Sequence, residues 1–451
     1  MVKVILARRK DFVQLPIASK IMSTAGQNIL TSDGESWSRQ RRIIAPALNE
    51  RISEVVWKES AEQASQMAAL MVEEPYGESR GTIYGLRTIA LNVLGRIAYG
   101  QPKPFKMSQS LRKPISEISY IDAVSICTEF LVVAALVPAS LLCLGVMPNA
   151  IRTLGLAIKK LPDLTKDLLT REQQRLETGV KTPDNLVRML ISLSHDSELI
   201  NGGMLPSGSL RQTLTEDELA GNMFIFTAAG FDTTANTMAY AVTLLAAYPQ
   251  WQVWIQEEVD HVLEFSKAAD VQYSTAFPKL ARCLALMHET LRLFPPVLHV
   301  SRSIKESQSI TVNSATHYIK GPCTVYVNSA CLQTNPSFWG ADSTIFNPSR
   351  WLSGDNEVGQ AEFNTPDRGI FLAWSGGPRV CPGQKMSQVE FVTVIATLFQ
   401  ACTVDPVIPS GGTIEQAREG LVQLMMDSQP RLTLQMNKPE DVFLKWSRRE
   451  Q

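Results

Sequence analysis

Apolar residues recur at three- and four-residue spacing through most of the middle of the chain, the period of helices that bury one face. Thr215-x-x-Glu218 is a capping box, and the pattern behind it predicts a long helix to about Ala247, stopped by Pro249. Gln250 to Phe265 predicts another helix. Pro278 can occupy the first turn of a helix that runs to Leu293, where Pro295-Pro296 ends it. A last strong helical pattern follows Gly383 and reaches about Cys402. Short β-like runs come late, at Ile310 to Val312, Cys323 to Val327 and Arg431 to Leu434. The pattern therefore predicts a mostly α protein with small β-sheets concentrated in the C-terminal half. No linker divides the chain, so residues 1–451 read as one large domain.

One segment breaks the amphipathic pattern. Phe130 to Met147 carries no charge, is just long enough to span a bilayer, and has Pro138 in its middle. It reads as a buried or interfacial helix pair, with a true span as the alternative. The N-terminus offers an apolar run too short for a signal peptide or an anchor. Across 451 residues, 45% hydrophobic with a net charge of −1, nothing marks a nucleic-acid binder. The seven cysteines include no C-x-x-C pair, which argues against a disulfide framework or a zinc site and for a reducing compartment.

Candidate chemistry starts at W-S-G-G-P-R-V-C-P-G, residues 374–383. Three glycines and two prolines exclude a helix interior, so Cys381 lies on a loop of fixed shape. A metal-binding thiolate needs backbone N–H groups aimed at it, and the glycines permit that approach. The helix after Gly383 would turn its positive end toward the sulfur, and Arg379 adds a charge two residues away. The competing reading is a buried free cysteine. Glu289-x-x-Arg292 places both groups on one helical face, and Arg350, within F-N-P-S-R-W, wants a carboxylate partner. A-G-F-D-T-T, residues 229–234, puts poor helix formers mid-helix; it reads as a locally opened helix beside Asp232 and Thr233, or as a helix-packing notch. Trp37-x-x-x-Arg41 could grip a carboxylate.

Together, from about residue 20 to the C-terminus, these residues resemble the cytochrome P-450 family of heme-thiolate monooxygenases: W-S-G-G-P-R-V-C-P-G, E-T-L-R, P-S-R-W, A-G-F-D-T-T and W-S-R-Q-R stand in the family's order. The resemblance implies that fold, with heme b (iron protoporphyrin IX) between a long distal helix and a proximal cysteine loop. Cys381 would be the axial thiolate. Asp232 and Thr233 would serve dioxygen activation and proton delivery, and Gly230 would open the helix groove. Trp37, Arg41, Arg302 and Arg379 would hold the heme propionates. Trp374, where the family most often has phenylalanine, would pack against the sulfur, and its N–H could shift the redox potential. Glu289, Arg292 and Arg350 would form a structural triad.

The same resemblance implies insertion of one atom of O2 into a lipophilic substrate, with electrons from NADPH through a separate flavoprotein reductase. Candidate pocket walls are the Gly26 to Ser36 loop, Phe226, Phe231, Val297 to Val300 and Leu424 to Met426. The look is closest to fungal members, which implies secondary-metabolite or xenobiotic oxidation at the cytosolic face of the endoplasmic reticulum. Residues 130–147 would touch the membrane. With only 36 residues before Trp37, the chain is expected to lack the family's anchor and first strands. Rival readings are a heme-thiolate isomerase or dehydratase, which would need no proton relay, and a truncated product unable to hold heme.

Overall fold

The computed structural model describes residues 1–107, 118–178, 185–200, 213–264, 266–353, 358, 361–365 and 369–449, and only the helical path for 194–200. The helices are α1 (Val2–Ala7), α2 (Pro16–Met22), α3 (Gly34–Ala47), α4 (Glu50–Glu73), α5 (Thr82–Tyr99), α6 (Tyr120–Glu129), α7 (Leu131–Leu136), α8 (Ala139–Leu142), α9 (Asn149–Glu177), α10 (Leu186–Ile200), α11 (Glu216–Ala247), α12 (Pro249–Leu263), α13 (Tyr273–Ala276), α14 (Ala281–Leu293), α15 (Ser329–Gln333), α16 (Pro336–Trp339), α17 (Gln384–Ala401) and α18 (Ile414–Met426). The strands are short: β1 (Glu78–Ser79), β2 (His299–Ile304), β3 (Gln308–Val312), β4 (Ala315–Ile319), β5 (Cys323–Asn328), β6 (Leu352–Ser353), β7 (Glu362–Phe363), β8 (Cys402–Pro406), β9 (Ser428–Pro430), β10 (Leu434–Met436) and β11 (Leu444–Arg448). All described pairings are antiparallel.

The mostly helical expectation holds, with sheets gathered late in the chain. α11 begins at the expected capping box: Thr215 Oγ accepts the Glu218 N–H, and the Glu218 carboxylate accepts the Thr215 N–H. α11 ends at Ala247 as expected, with Tyr248 turned out of the helix just before Pro249, which itself opens α12 at its first position, where a missing N–H costs little. The expected end of that helix, Phe265, lies outside the described residues. α14 starts at Ala281, because Pro278 sits in a separate 3-10 turn, Phe277–Lys279. The Arg431 to Leu434 strand is a correction: Arg431 to Thr433 form the turn between β9 and β10, closed by the Arg431 N–H on the Thr433 carbonyl at 3.0 Å.

α11 and α17 run through the main core, a continuous cluster of buried residues from Ile29 to Trp446. α17 packs on α4, and α11 on α5. Phe391 and Phe399 of α17 are fully buried, each contributing about 1.5–3 kcal/mol over exposure. Smaller clusters seat α1: Ile5 and Phe12 meet Ile304 and Ile310, while Leu6 meets Val300, Val327 and Leu372. Phe130 to Met147 forms the pair α7 and α8, separated at Pro138, with Val132, Leu136, Leu141, Leu144 and Val146 exposed. Among the described residues no helix is long and apolar enough to cross a membrane.

Candidate active site

Cys381 lies between a 3-10 turn, Gly377–Arg379, and the start of α17. The loop needs its glycines in one place above all. Gly377 has φ +65°, and a Cβ there would collide with the Leu6 carbonyl of α1. The Cys381 N–H donates to the Trp374 carbonyl at 2.9 Å. Burial raises the Cys381 thiol pKa, against the lowering effects of the Gly383 backbone N–H and the nearby Arg41 charge. The cysteine is nevertheless accessible, so a ligand can reach it.

The four expected anion-binding residues do not form one set. Arg41 turns to the cysteine loop, donating to the Val380 carbonyl at 2.8 Å. Trp37, Arg302 and Arg379 gather elsewhere, and Arg9 joins them. Arg9 and Arg379 both lie over the Trp37 ring, at 4.6 and 4.8 Å from its centroid. Asp33 accepts from Arg379 at 2.5 Å. Arg302 donates to Gln14 at 3.2 Å and feels the charge of Asp33. Burial, with Arg302 and Arg9 and against Asp33, pushes Arg379 down to about 10. Among the described residues, Asp33 thus answers Arg379 and, at a distance, Arg302, while Arg9 adds a third positive charge, and the buried Arg379 Nε has no partner. Such a cluster suits an anionic ligand.

α11 runs unbroken through A-G-F-D-T-T. The Thr233 and Thr234 hydroxyls bond back to the Ala229 and Gly230 carbonyls at 2.8 and 3.2 Å, as such residues do mid-helix. Phe226, Ala229, Gly230 and Thr233 share one helical face and are the accessible positions in an otherwise buried stretch. Gly230 also receives Leu94, which a Cβ would meet at 3.3 Å. Asp232 and Thr233 part company. Asp232 is buried, accepting from Arg87 at 3.0 Å and Thr433 at 2.6 Å. Phe231, expected as a pocket wall, is buried beneath the Arg87 guanidinium instead. Val300 is buried and Met426 exposed, so neither of those ranges lines the pocket as a whole.

Glu289, Arg292 and Arg350 do come together. The Arg292 guanidinium grips both Glu289 oxygens at 2.8 Å, and Arg350 adds a bond at 3.0 Å. The Trp351 indole and the Asn347 N–H complete Glu289's bonds, each at 2.9 Å. Arg292 donates further to the Gln333 and Ser343 carbonyls. A buried ion pair is tolerable only when satisfied in this way.

A sequence profile of the family described as Cytochrome P450 matches residues 1–433. The chain belongs to the cytochrome P450 family. A phomenoic acid biosynthesis cluster cytochrome P450 monooxygenase of Leptosphaeria maculans is 29% identical over 451 aligned residues, covering 92% of this chain and 74% of the relative. Cytochrome P450 monooxygenase 124 of Postia placenta is 28% identical over 443, covering 96% and 79%. The crystal structure of a cytochrome P450 (CYP102L1) superposes with a TM-score of 0.71 at 19% identity, covering 99% of this chain and 87% of that one. The chain is thus an oxidoreductase of the monooxygenase class, and its P450 membership implies a thiolate-held heme.

The residues of this P450 fit that group. The accessible cysteine, the unmatched guanidiniums and the open face of α11 supply a ligand, an anion site and a distal surface. Sequence reasoning missed Arg9, hidden in the run R-R-K of residues 8–10, which looks like solvated surface charge. It missed Arg87 and Thr433, the partners of Asp232, because no local pattern joins residues that far apart. A cavity of about 960 Å³ lies between Ser23–Gly26 and α6, α9 and the start of α11, with Cys127, Leu161 and Leu219 among its lining.

Proposed function

We propose that this chain is a single-domain heme-thiolate monooxygenase of secondary metabolism acting on a lipophilic substrate. The observation that carries the reading is Cys381: an accessible thiol on a glycine-rich loop, with the Gly383 backbone and the Arg41 guanidinium nearby. The secondary-metabolic assignment is supported by the biosynthesis-cluster relative. Cys381 would hold the iron, while Trp37, Arg9, Arg302 and Arg379 would take the propionates. Thiolate-bound heme, when present, supplies O2 activation, with electrons from NADPH through a separate flavoprotein reductase.

The chain's own residues would do the rest. Thr233, on the accessible face of α11, would hold and orient a water on the distal side of the site. Asp232, on leaving its ion pair with half-buried Arg87, would take up a proton from solvent and hand it toward that water. Glu289, Arg292 and Arg350 would brace the proximal side. The substrate would pass through the cavity beside Ser23–Gly26. The exposed apolar residues of α7 and α8, with Ile17 of the adjoining α2, would rest on the cytosolic face of the endoplasmic reticulum membrane.

The test is the carbon-monoxide difference spectrum of the reduced, heme-supplied protein. The strongly red-shifted Soret band of thiolate ligation is expected, and its loss in Cys381→Ala. A band that survives the substitution removes the assignment.

A further inference from the structure

Trp374 stands at the entrance to the Cys381 loop, and its two ends meet opposite sides of it. Its carbonyl accepts the Cys381 N–H at 2.9 Å. Its indole N–H donates to Ser387 Oγ at 3.0 Å, thirteen residues further along. Ser387 belongs to the first turn of α17. Its hydroxyl proton goes to the Gln384 carbonyl at 2.8 Å, so its oxygen is left as acceptor for the indole. The ring is held by its packing: His288 lies at 5.0 Å between centroids and Phe371 at 6.0 Å. The N–H expected to tune the sulfur is therefore already spent on a helix.

We propose that Ser387 is a positioning residue: its bond to Trp374 is a clasp that closes the Cys381 loop onto α17 and fixes the sulfur for the heme iron. The inference rests on the reading of Cys381 as heme ligand. Residues 375–386 contain two positive-φ positions, Ser375 and Gly377, and two prolines, a shape that local bonding alone does not enforce. Joining residue 374 to residue 387 removes the freedom of everything between them. The Cys381 N–H bond lies inside the closed span, so its opening reports on the clasp.

Two measurements test it: amide hydrogen exchange over residues 375–387, and the rate of heme transfer from the holoenzyme to excess apomyoglobin. The proteins are wild type, Ser387→Ala, Ser387→Thr, Trp374→Phe and the double variant Ser387→Ala/Trp374→Phe. Loss of one neutral hydrogen bond should speed both processes about fivefold in Ser387→Ala and in Trp374→Phe. The double variant should be no faster than either single, because both remove the same bond. Ser387→Thr keeps the hydroxyl and should restore wild-type rates. Ser387→Ala matching wild type, or two single effects that multiply, overturns the clasp while a Cys381-dependent carbon-monoxide band leaves the ligand reading standing. A wild-type band indifferent to Cys381→Ala overturns both.

Discussion

Two guanidiniums over one indole repel each other unless an anion sits between their charges and the rest of the cluster. Arg379 has Asp33, but Arg9 has no carboxylate among the described residues, and Arg302 shares Asp33 only at a distance. The two carboxylates of heme would close that balance. Arg9→Gln should therefore weaken heme binding about tenfold, a charge-assisted bond being worth about 1.5 kcal/mol or more. The same variant should bind the dimethyl ester of heme as wild type does, since the ester has no charge to lose. An equal loss with the ester would assign Arg9 to packing on Trp37 alone. At this scale the sequence was legible where chemistry forces a local signature. Cys381 must have glycines beside it, and Glu289 and Arg292 must sit three apart to share a helical face. Arg9, Arg87 and Ser387 carry no such mark, because each meets its partner through the fold.

Elements were legible in proportion to how local their signals are. α11 was found whole, since its capping box and apolar run lie within its own residues. α18 has an equally plain box, Thr413 with Gln416, and was overlooked. The β9–β10 turn was misread because a threonine between apolar residues looks like a strand, while Thr433 is in fact held by Asp232 of α11. The docking of the Gly26 loop onto α11 left a subtler trace. Gly26 has φ +130°, and Gly221 faces it so closely that a Cβ would collide with the Gln27 carbonyl oxygen. Asp217 and Asn222 then receive the Gln27 and Ile29 N–H groups, at 2.9 and 3.0 Å. Gly221→Ala should lift the loop from the helix at a cost of about 1–3 kcal/mol. The check is a lowered melting temperature with faster proteolysis at residues 23–33. An unchanged cleavage rate would show that α11 shifts to accept the methyl group.

For the molecule as a whole, the core contains a carboxyl group that sequence would place on the surface. Glu390 lies in α17 amid Val389, Phe391 and Val392, and a glutamate there reads as a solvated position. It is buried, and its Oε1 has no hydrogen-bond partner. Burial pushes its carboxyl up to about 8, so the folded protein holds it neutral where the unfolded chain would ionise it near 4.5. The native state therefore binds the extra proton, and stability must fall as pH rises through this range. The contribution is complete below about 4.5 and lost on passing about 8. Glu258 adds to the same slope: burial pushes it up to about 7, against the Arg282 and Cys283 N–H groups that it caps at the start of α14. Glu390→Gln keeps the shape and removes the proton. At pH 5 variant and wild type should melt together. Toward pH 9 the wild type should fall behind, by on the order of a few kcal/mol, the scale that such a shift converts to. Melting curves of the holoenzyme from pH 5 to 9 read this directly. If the two proteins lose stability in parallel, Glu390 is not held neutral in the fold, and the pH dependence belongs to other groups.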